Sequence, residues 1–202
     1  MTRKRRSDVA ALPALVVKPL DASTWDAYAR LALRHNGVWG GCWCTWFHTT
    51  QAEKTHTAEG NRALKERLVC EGRAHAAVVF DGEAAVAWCQ YGPPVELPNI
   101  HHRKEYEATQ TTPPDYRLTC IFVDKAYRRQ GVAAVALRGA LHLIAQAGGG
   151  TVEGYPHDTQ GKKVSASFLY NGTRRVYEQA GFTYLRPKGK GNCVMSRVVP
   201  AG

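Results

Sequence analysis

The sequence predicts a mixed α/β sheet with helices on its faces, and three observations lead there. Strand-like alternation and helix-like spacing replace one another repeatedly along the chain. Asp81-Gly82 sits between two apolar runs, and that dipeptide supplies the positive φ angles of a tight hairpin. A strand over 117–124 leaves through a short turn into a helix over 129–147. The element order reads βααββ(insert)βαβαββ, with no internal repeat.

Each element has its own signal. Residues 15–20 are rich in β-formers, and Asp21-Ala22-Ser23-Thr24 offers N-caps for a helix running to about Arg34. Residues 35–48 place three of the five tryptophans in a glycine-punctuated loop, which is costly to leave in water unless it lines something. A second helix carries Leu64, Leu68 and Val69 on one face and stops at Gly72. The hairpin pairs 74–80 with 83–91. The stretch 92–115 is proline-rich and charged, hardly core, and loops of that length usually cover a site. Ala133, Ala136, Leu137, Ala140, Leu141 and Ile144 keep helical spacing until Gly148-Gly149-Gly150 ends the helix. A strand over 151–156, a loop with Lys162 and Lys163 and a last helix ending at Ala180 follow. Gly172 is awkward inside that helix, so Asn171 or Thr173 is its expected N-cap. Strands over 182–186 and 193–199, joined by a Pro-Lys-Gly-Lys-Gly turn, complete the chain.

With 202 residues, 44% hydrophobic and 22% charged, the chain suits one domain with a small appendage, and disorder or a fibrous repeat is excluded as its dominant state. We expect a basic flexible tail over 1–12 and a single domain over 13–202. Of the formal charge of +10, Arg3, Lys4, Arg5 and Arg6 against Asp8 hold +3, which leaves +7 on the folded part. That excess suits an anionic ligand as well as nucleic acid. No stripe of interleaved aromatic and basic residues is present, which weighs against nucleic acid. The N-terminus imitates a signal peptide, but Pro13 interrupts its apolar run and Lys18 ends it. No stretch approaches the roughly 20 apolar residues of a membrane span. Cys42, Cys44, Cys70, Cys89, Cys120 and Cys193 could number three disulfides, yet several sit in apolar runs as free thiols of a reducing compartment do. A soluble, cytoplasmic protein is the expectation.

The sharpest motif is Val123-Asp124-Lys125-Ala126-Tyr127-Arg128-Arg129-Gln130-Gly131-Val132-Ala133. Its Arg128-x-x-Gly131-x-Ala133 core strips bulk from a turn, so that N–H groups at a helix N-terminus can approach an anion such as a pyrophosphate. The helix dipole and flanking arginines favour the same charge. By itself the motif also reads as an ordinary β-α connection. With it, the chain resembles the GNAT superfamily of acyl-CoA-dependent N-acetyltransferases. Downstream, Tyr177-Glu178-Gln179-Ala180-Gly181-Phe182 is similar to the family's closing helix. The order of elements from Leu15 to Val199 matches as well, so the resemblance spans nearly all of the chain after its tail.

The resemblance implies a mostly antiparallel sheet of about seven strands, splayed at the centre and flanked by about four helices. It implies acetyl-CoA as co-substrate, without a metal, and direct attack by a primary amine in a ternary complex. The pantetheine would lie along 120–123 and the pyrophosphate on the N–H groups of 129–133, so Phe122, Val123, Arg128, Arg129, Gln130, Gly131, Val132 and Ala133 form the donor site. A backbone N–H near Phe122 could polarise the thioester carbonyl. Tyr177 matches the tyrosine that protonates the leaving thiolate, with an aromatic core residue on a helix face as the lesser alternative. The family's strand carboxylate falls on Arg117, which accepts no proton near neutral pH. Asp115, Glu153 and His157 are the candidates for a base, beside a water chain. Tyr170 stands where the family often has a pantetheine-binding asparagine, with Asn171 next to it.

By position in the resembled fold, Trp39, Trp43, Trp46 and Phe47 would wall the acceptor pocket under the 92–115 cover; a satellite hydrophobic cluster is the alternative. Cys42-x-Cys44 with His35 and His48 lacks the second pair of a structural zinc site, and a cysteine nucleophile lacks its oxyanion turn. The expected partners are acetyl-CoA and a small amine or peptide amine, not a membrane, and a homodimer is left open. The competing readings are a non-catalytic acyl-CoA-binding regulator and a basic nucleic-acid-binding protein.

Overall fold

A computed structural model describes residues 14–159, 161, 164–165 and 168–202. The basic tail and the Lys162-Lys163 pair lie outside the described residues. Strand β1 (Val16–Pro19), helices α1 (Trp25–Arg34) and α2 (Ala58–Cys70), and the hairpin β2 (His75–Asp81) and β3 (Ala84–Gly92) come first. Helix α3 (Arg103–Ala108), β4 (Tyr116–Val123), α4 (Val132–Gln146), β5 (Gly150–Gly154), α5 (Arg174–Gln179), β6 (Thr183–Lys188) and β7 (Asn192–Val199) follow. The sheet runs β1-β2-β3-β4-β5-β7-β6. Every neighbouring pair is antiparallel except β4 and β5. This is the mixed α/β, mostly antiparallel sheet that the sequence led us to expect.

Local chemistry sets the boundaries. Asp21 and Thr24 tie the entry to α1 through side-chain bonds to the Ser23 and Asp21 amides, and the Thr57 hydroxyl accepts from Gly60 N–H at the start of α2. The hairpin turn falls on Gly82-Glu83, one residue later than expected, because Asp81 still pairs with Ala84 and only Gly82 takes a positive φ. Helix α4 starts at Val132 and not at 129, since Arg129 and Gly131 are both left-handed (φ 63° and 81°). Thr173, extended at φ −108°, precedes α5, so Asn171 is not its cap.

Two apolar layers cover the sheet. One face carries α1, α2 and the 35–48 loop, with Tyr28, Leu31, Trp43 and Trp88 buried; the other carries α4 and α5, with Leu137, Ile144, Tyr177 and Met195 buried. Each large aliphatic side chain so buried contributes about 1.5–3 kcal/mol. The 92–115 insertion departs from expectation. Leu97, Ile100 and Tyr106 are buried, and Arg103–Ala108 forms a helix in which Tyr106 is the one apolar tooth. Charge on its neighbours hid that anchor, because a single large side chain at the right angle is enough to fix a short helix to a core.

Two irregularities open the sheet at its centre. Gln90 pairs with Cys120 and Tyr91 with Leu118, which leaves Thr119 as a bulge in β4. The parallel β4–β5 ladder joins only Tyr116–Leu118 to Val152–Gly154, and beyond it the outer edge of β4 has no strand partner among the described residues.

Candidate active site

The open edge of β4 presents backbone groups in alternation. Ile121 N–H points outward, donating to Tyr170 O at 2.6 Å, while Asp124 N–H turns inward to Val86 O of β3 at 2.8 Å. The strand period therefore aims Val123 N–H outward and Phe122 N–H at β3. Of the backbone N–H groups near Phe122, the one that faces the opening is therefore that of Val123, and Phe122 contributes its side chain. Its ring stacks on Trp88 at 4.6 Å and meets Trp39 edge-on at 5.6 Å.

At the end of that edge, Gly131 turns the chain into α4. Its φ of 81° suits glycine, and a Cβ added there would meet no heavy atom within 4 Å, so the turn is open above the backbone. The N–H groups of Val132 and Ala133 have no acceptor among the described residues and point out of a 15-residue helix. Arg128 folds back, its Nε donating to Val123 O at 3.2 Å, and Gln130 Nε2 donates to Ala126 O at 2.8 Å. Arg128, Lys125, Arg34, His35, Trp39 and Phe122 line a cavity of about 270 Å³ beside the turn. Three cations and two aromatic rings around one cleft can hold a phosphate ester and an apolar group together.

On the α4–α5 face, Tyr177 is fully buried, its ring against Phe182 at 5.0 Å and in the space that a Cβ on Gly154 would take. Its hydroxyl has no hydrogen-bond partner among the described residues. Burial raises its pKa well above the ordinary value, so the phenol stays protonated. A protonated orphan donor at the point where β4 and β5 part can deliver a proton.

On the opposite face, Glu153 is 4% exposed, so it lies neither in an open cleft nor on a solvated edge. Its Oε2 accepts from Tyr106 Oη at 2.6 Å and Tyr155 Oη at 3.1 Å, and Gln110 Nε2 donates to Tyr106 Oη at 2.6 Å. Burial raises the pKa of both phenols, most at Tyr155. Asp115 does not join them. It precedes β4, where its Oδ2 accepts from Thr151 N–H at 2.7 Å, so it caps the start of β5 at the closed end of the ladder. His157 lines a second cavity of about 310 Å³ with Asp158, Tyr184 and Lys190 beside the β6–β7 turn. Asn171, buried, donates to Tyr155 O at 3.2 Å, and its Oδ1 has no partner among the described residues.

The tryptophan loop divides. Trp43 is not a wall residue: it is 2% exposed and packs on Trp25 at 6.2 Å, inside the core. Trp46, Phe47 and Trp39 surround Tyr170 and His101, with Trp46 stacked on His101 at 3.8 Å and Trp39 edge-on to Tyr170 at 6.4 Å. Asn36, Val38, Trp39, Trp43 and Cys44 all adopt positive φ, a strained path for non-glycine residues that such packing must hold. The two histidines of this loop part. His35 pairs with Asp124 at 3.2 Å, whereas His48 contacts Lys65 Nζ at 3.1 Å and Glu96 O at 3.0 Å. Among the described residues no group of three or more His, Cys, Asp or Glu side chains is placed to hold a metal.

Sequence reasoning missed Tyr106, Tyr155 and His101, and it missed a buried network in which Lys65 Nζ donates to Gln90 Oε1 at 2.5 Å and Gln90 Nε2 to Thr119 Oγ1 at 3.0 Å. The available signals were a lone tyrosine in a charged insertion and a lysine on the apolar side of α2.

Comparison with known proteins follows the same lines. A sequence profile described as the acetyltransferase (GNAT) family matches residues 42–182. No curated protein matches the chain. Among solved structures, a mosquito arylalkylamine N-acetyltransferase-like protein is 12% identical, with 92% of this chain and 100% of that one covered and a TM-score of 0.54. An acetyltransferase of the GNAT family from Desulfovibrio desulfuricans is 17% identical, with 92% and 99% covered and a TM-score of 0.52. One of the GNAT family from Streptococcus pneumoniae is 11% identical, with 92% and 99% covered and a TM-score of 0.52. At these identities the likeness concerns the fold.

Proposed function

Because the chain belongs to the acetyltransferase (GNAT) family, we propose that it moves an acetyl group from acetyl-CoA to a primary amine within one ternary complex. Acetyl-CoA supplies an activated thioester. The observation that carries the reading is the buried, unpartnered hydroxyl of Tyr177 against Gly154, where β4 and β5 separate.

Every other part has a residue for it. The N–H groups of Gly131, Val132 and Ala133, with Arg128, Arg129 and Gln130, would hold the pyrophosphate at the positive end of the α4 dipole. Val123 N–H would polarise the carbonyl from the open edge of β4. Glu153, reached through Tyr106 and Tyr155, would take the proton that the amine loses, and Tyr177, on the opposite face, would give one to the departing thiolate. Asn171 would orient the loop after β5, and Phe122 would floor the donor cleft. Trp39, Trp46 and Phe47 would shape the acceptor side. Residues 13–202 would act as one domain, in the reducing cytoplasm that suits its thiols.

The test uses the full chain. Acetyl-CoA at about 100 times its Kd should stabilise the native state by about 2.7 kcal/mol, read as a rise in Tm. An amine panel should then release CoA thiol. No rise in Tm at saturation removes acetyl-CoA from the reading, and a rise without turnover for any amine favours a binding regulator.

A further inference from the structure

Around the Glu153 couple the structure gathers more positive charge than the reaction uses. Arg117 stands on β4 as the register partner of Glu153, buried at 8% exposure. Its Nη1 donates to Leu97 O at 2.8 Å, and its Nε has no partner among the described residues. From β6, Arg186 brings a guanidinium to 5.4 Å from the Tyr106 ring, the same distance as Arg117. Arg186 Nε donates to Thr109 Oγ1 at 3.0 Å, and its Nη2 is buried without a partner among the described residues. Lys188, at 3% exposure, points its ammonium at the Tyr155 ring at 5.3 Å. Burial, with Arg117 adding to it and Glu105 opposing, pulls the Lys188 pKa down to about 8. The neighbouring His101 is held down to about 4 by burial and by the charges of Lys188 and His102.

Buried cations without anions are unfavourable, and neither tyrosine hydroxyl can neutralise them. Glu153 offers one negative charge, already bonded to both tyrosines, and Glu105, which also accepts from Gly189 N–H at 3.0 Å, offers a second, so three cations face two carboxylates. We propose that Arg117, Arg186 and Lys188 form a receptor for the carboxylate of the acceptor, so that the amines acetylated by this protein are α-amino acids. The proposal rests on acyl transfer at Glu153. Arg117 and Glu153 are register partners on adjacent strands, so a guanidinium and a carboxylate stand side by side, the opposite-charge pair that complements the zwitterion of an amino acid. The presence of Glu153 in the same cluster disfavours a dianion, and planar guanidinium groups match the planar carboxylate.

The experiment compares the twenty free L-amino acids with their amides and with phosphoethanolamine, using the full chain and acetyl-CoA and reading kcat/KM by thiol release. The favoured amino acids should exceed their amides by tenfold or more. Lys188→Met should cut that preference at least fivefold through KM while changing turnover of the amides by less than twofold; Arg117→Gln should do the same if it folds. A merely structural role would lower both substrates alike and overturn the proposal. So would amides that match the acids, or phosphoethanolamine that outperforms every amino acid. A second readout needs no turnover. Free amino acids, but not amides, should raise the Tm of the wild-type protein and not that of Lys188→Met. If no amine of any kind is acetylated, the acyl-transfer reading fails on its own, and this Tm comparison still supports or overturns the carboxylate receptor.

Discussion

The ring of Tyr177 occupies the volume that a Cβ on Gly154 would fill, so helix α5 and strand β5 meet through a missing side chain. Gly154→Ala should therefore push the ring away from the opening or force β5 to shift. The expected cost is about 1–3 kcal/mol, as for other overpacked cores. Urea denaturation checks it, and an unchanged midpoint would mean the ring moves freely.

Tyr177→Phe separates chemistry from packing. The phenol is an unsatisfied buried donor in the free protein, so its removal should leave the Tm equal or higher. Turnover should fall by about 10²-fold or more if the hydroxyl is the acid. Because burial lifts its pKa, no loss of wild-type rate from Tyr177 ionisation is expected up to pH 10. Equal turnover for parent and mutant would take Tyr177 out of the reaction.

Gly131→Val tests the donor turn. The open space above Gly131 means no clash, so the expected penalty is the left-handed φ alone, about 1–2 kcal/mol. The added bulk should abolish the Tm rise given by acetyl-CoA. A retained rise would place the phosphates elsewhere.

Lys65 makes a pH prediction. Burial pulls its pKa from the usual 10.5 to about 8, so between those values the unfolded chain binds more protons than the folded one. Stability contributed through this group rises with pH across that window, by on the order of 3 kcal/mol in total. Lys65→Met should remove that rise, visible as the difference between the two proteins' denaturation midpoints from pH 8 to 10. Parallel curves would show that Lys65 does not titrate there.

Legibility in the sequence followed the range of the interactions involved. Gly131, the Asp21–Thr24 cap and the hydrophobic spacing of α4 act within a few residues, so the order of strands and helices could be read directly. The partners of Glu153 could not. Tyr106 lies 47 residues away in an insertion whose charge suggested solvent, and no local pattern links the two. Asp115 misled for the opposite reason. Its position two residues before Arg117 suggested a shared face, but Thr151 N–H across the ladder claims its carboxylate. Trp43 was drawn into the acceptor wall by its neighbours, whereas a positive φ turns it inward against Trp25.

The open edge of β4 offers the Val123 N–H, since Ile121 N–H is taken by Tyr170 O, and peptide groups are the same whatever side chains they carry. A grip built from them tolerates mutation: side chains at these positions can drift so long as the strand keeps its shape. If the donor binds there as proposed, substitutions such as Val123→Ile should be silent in its affinity. On the proposed function, differences in acceptor would then fall to the residues around Glu153 and to the insertion that shelters them.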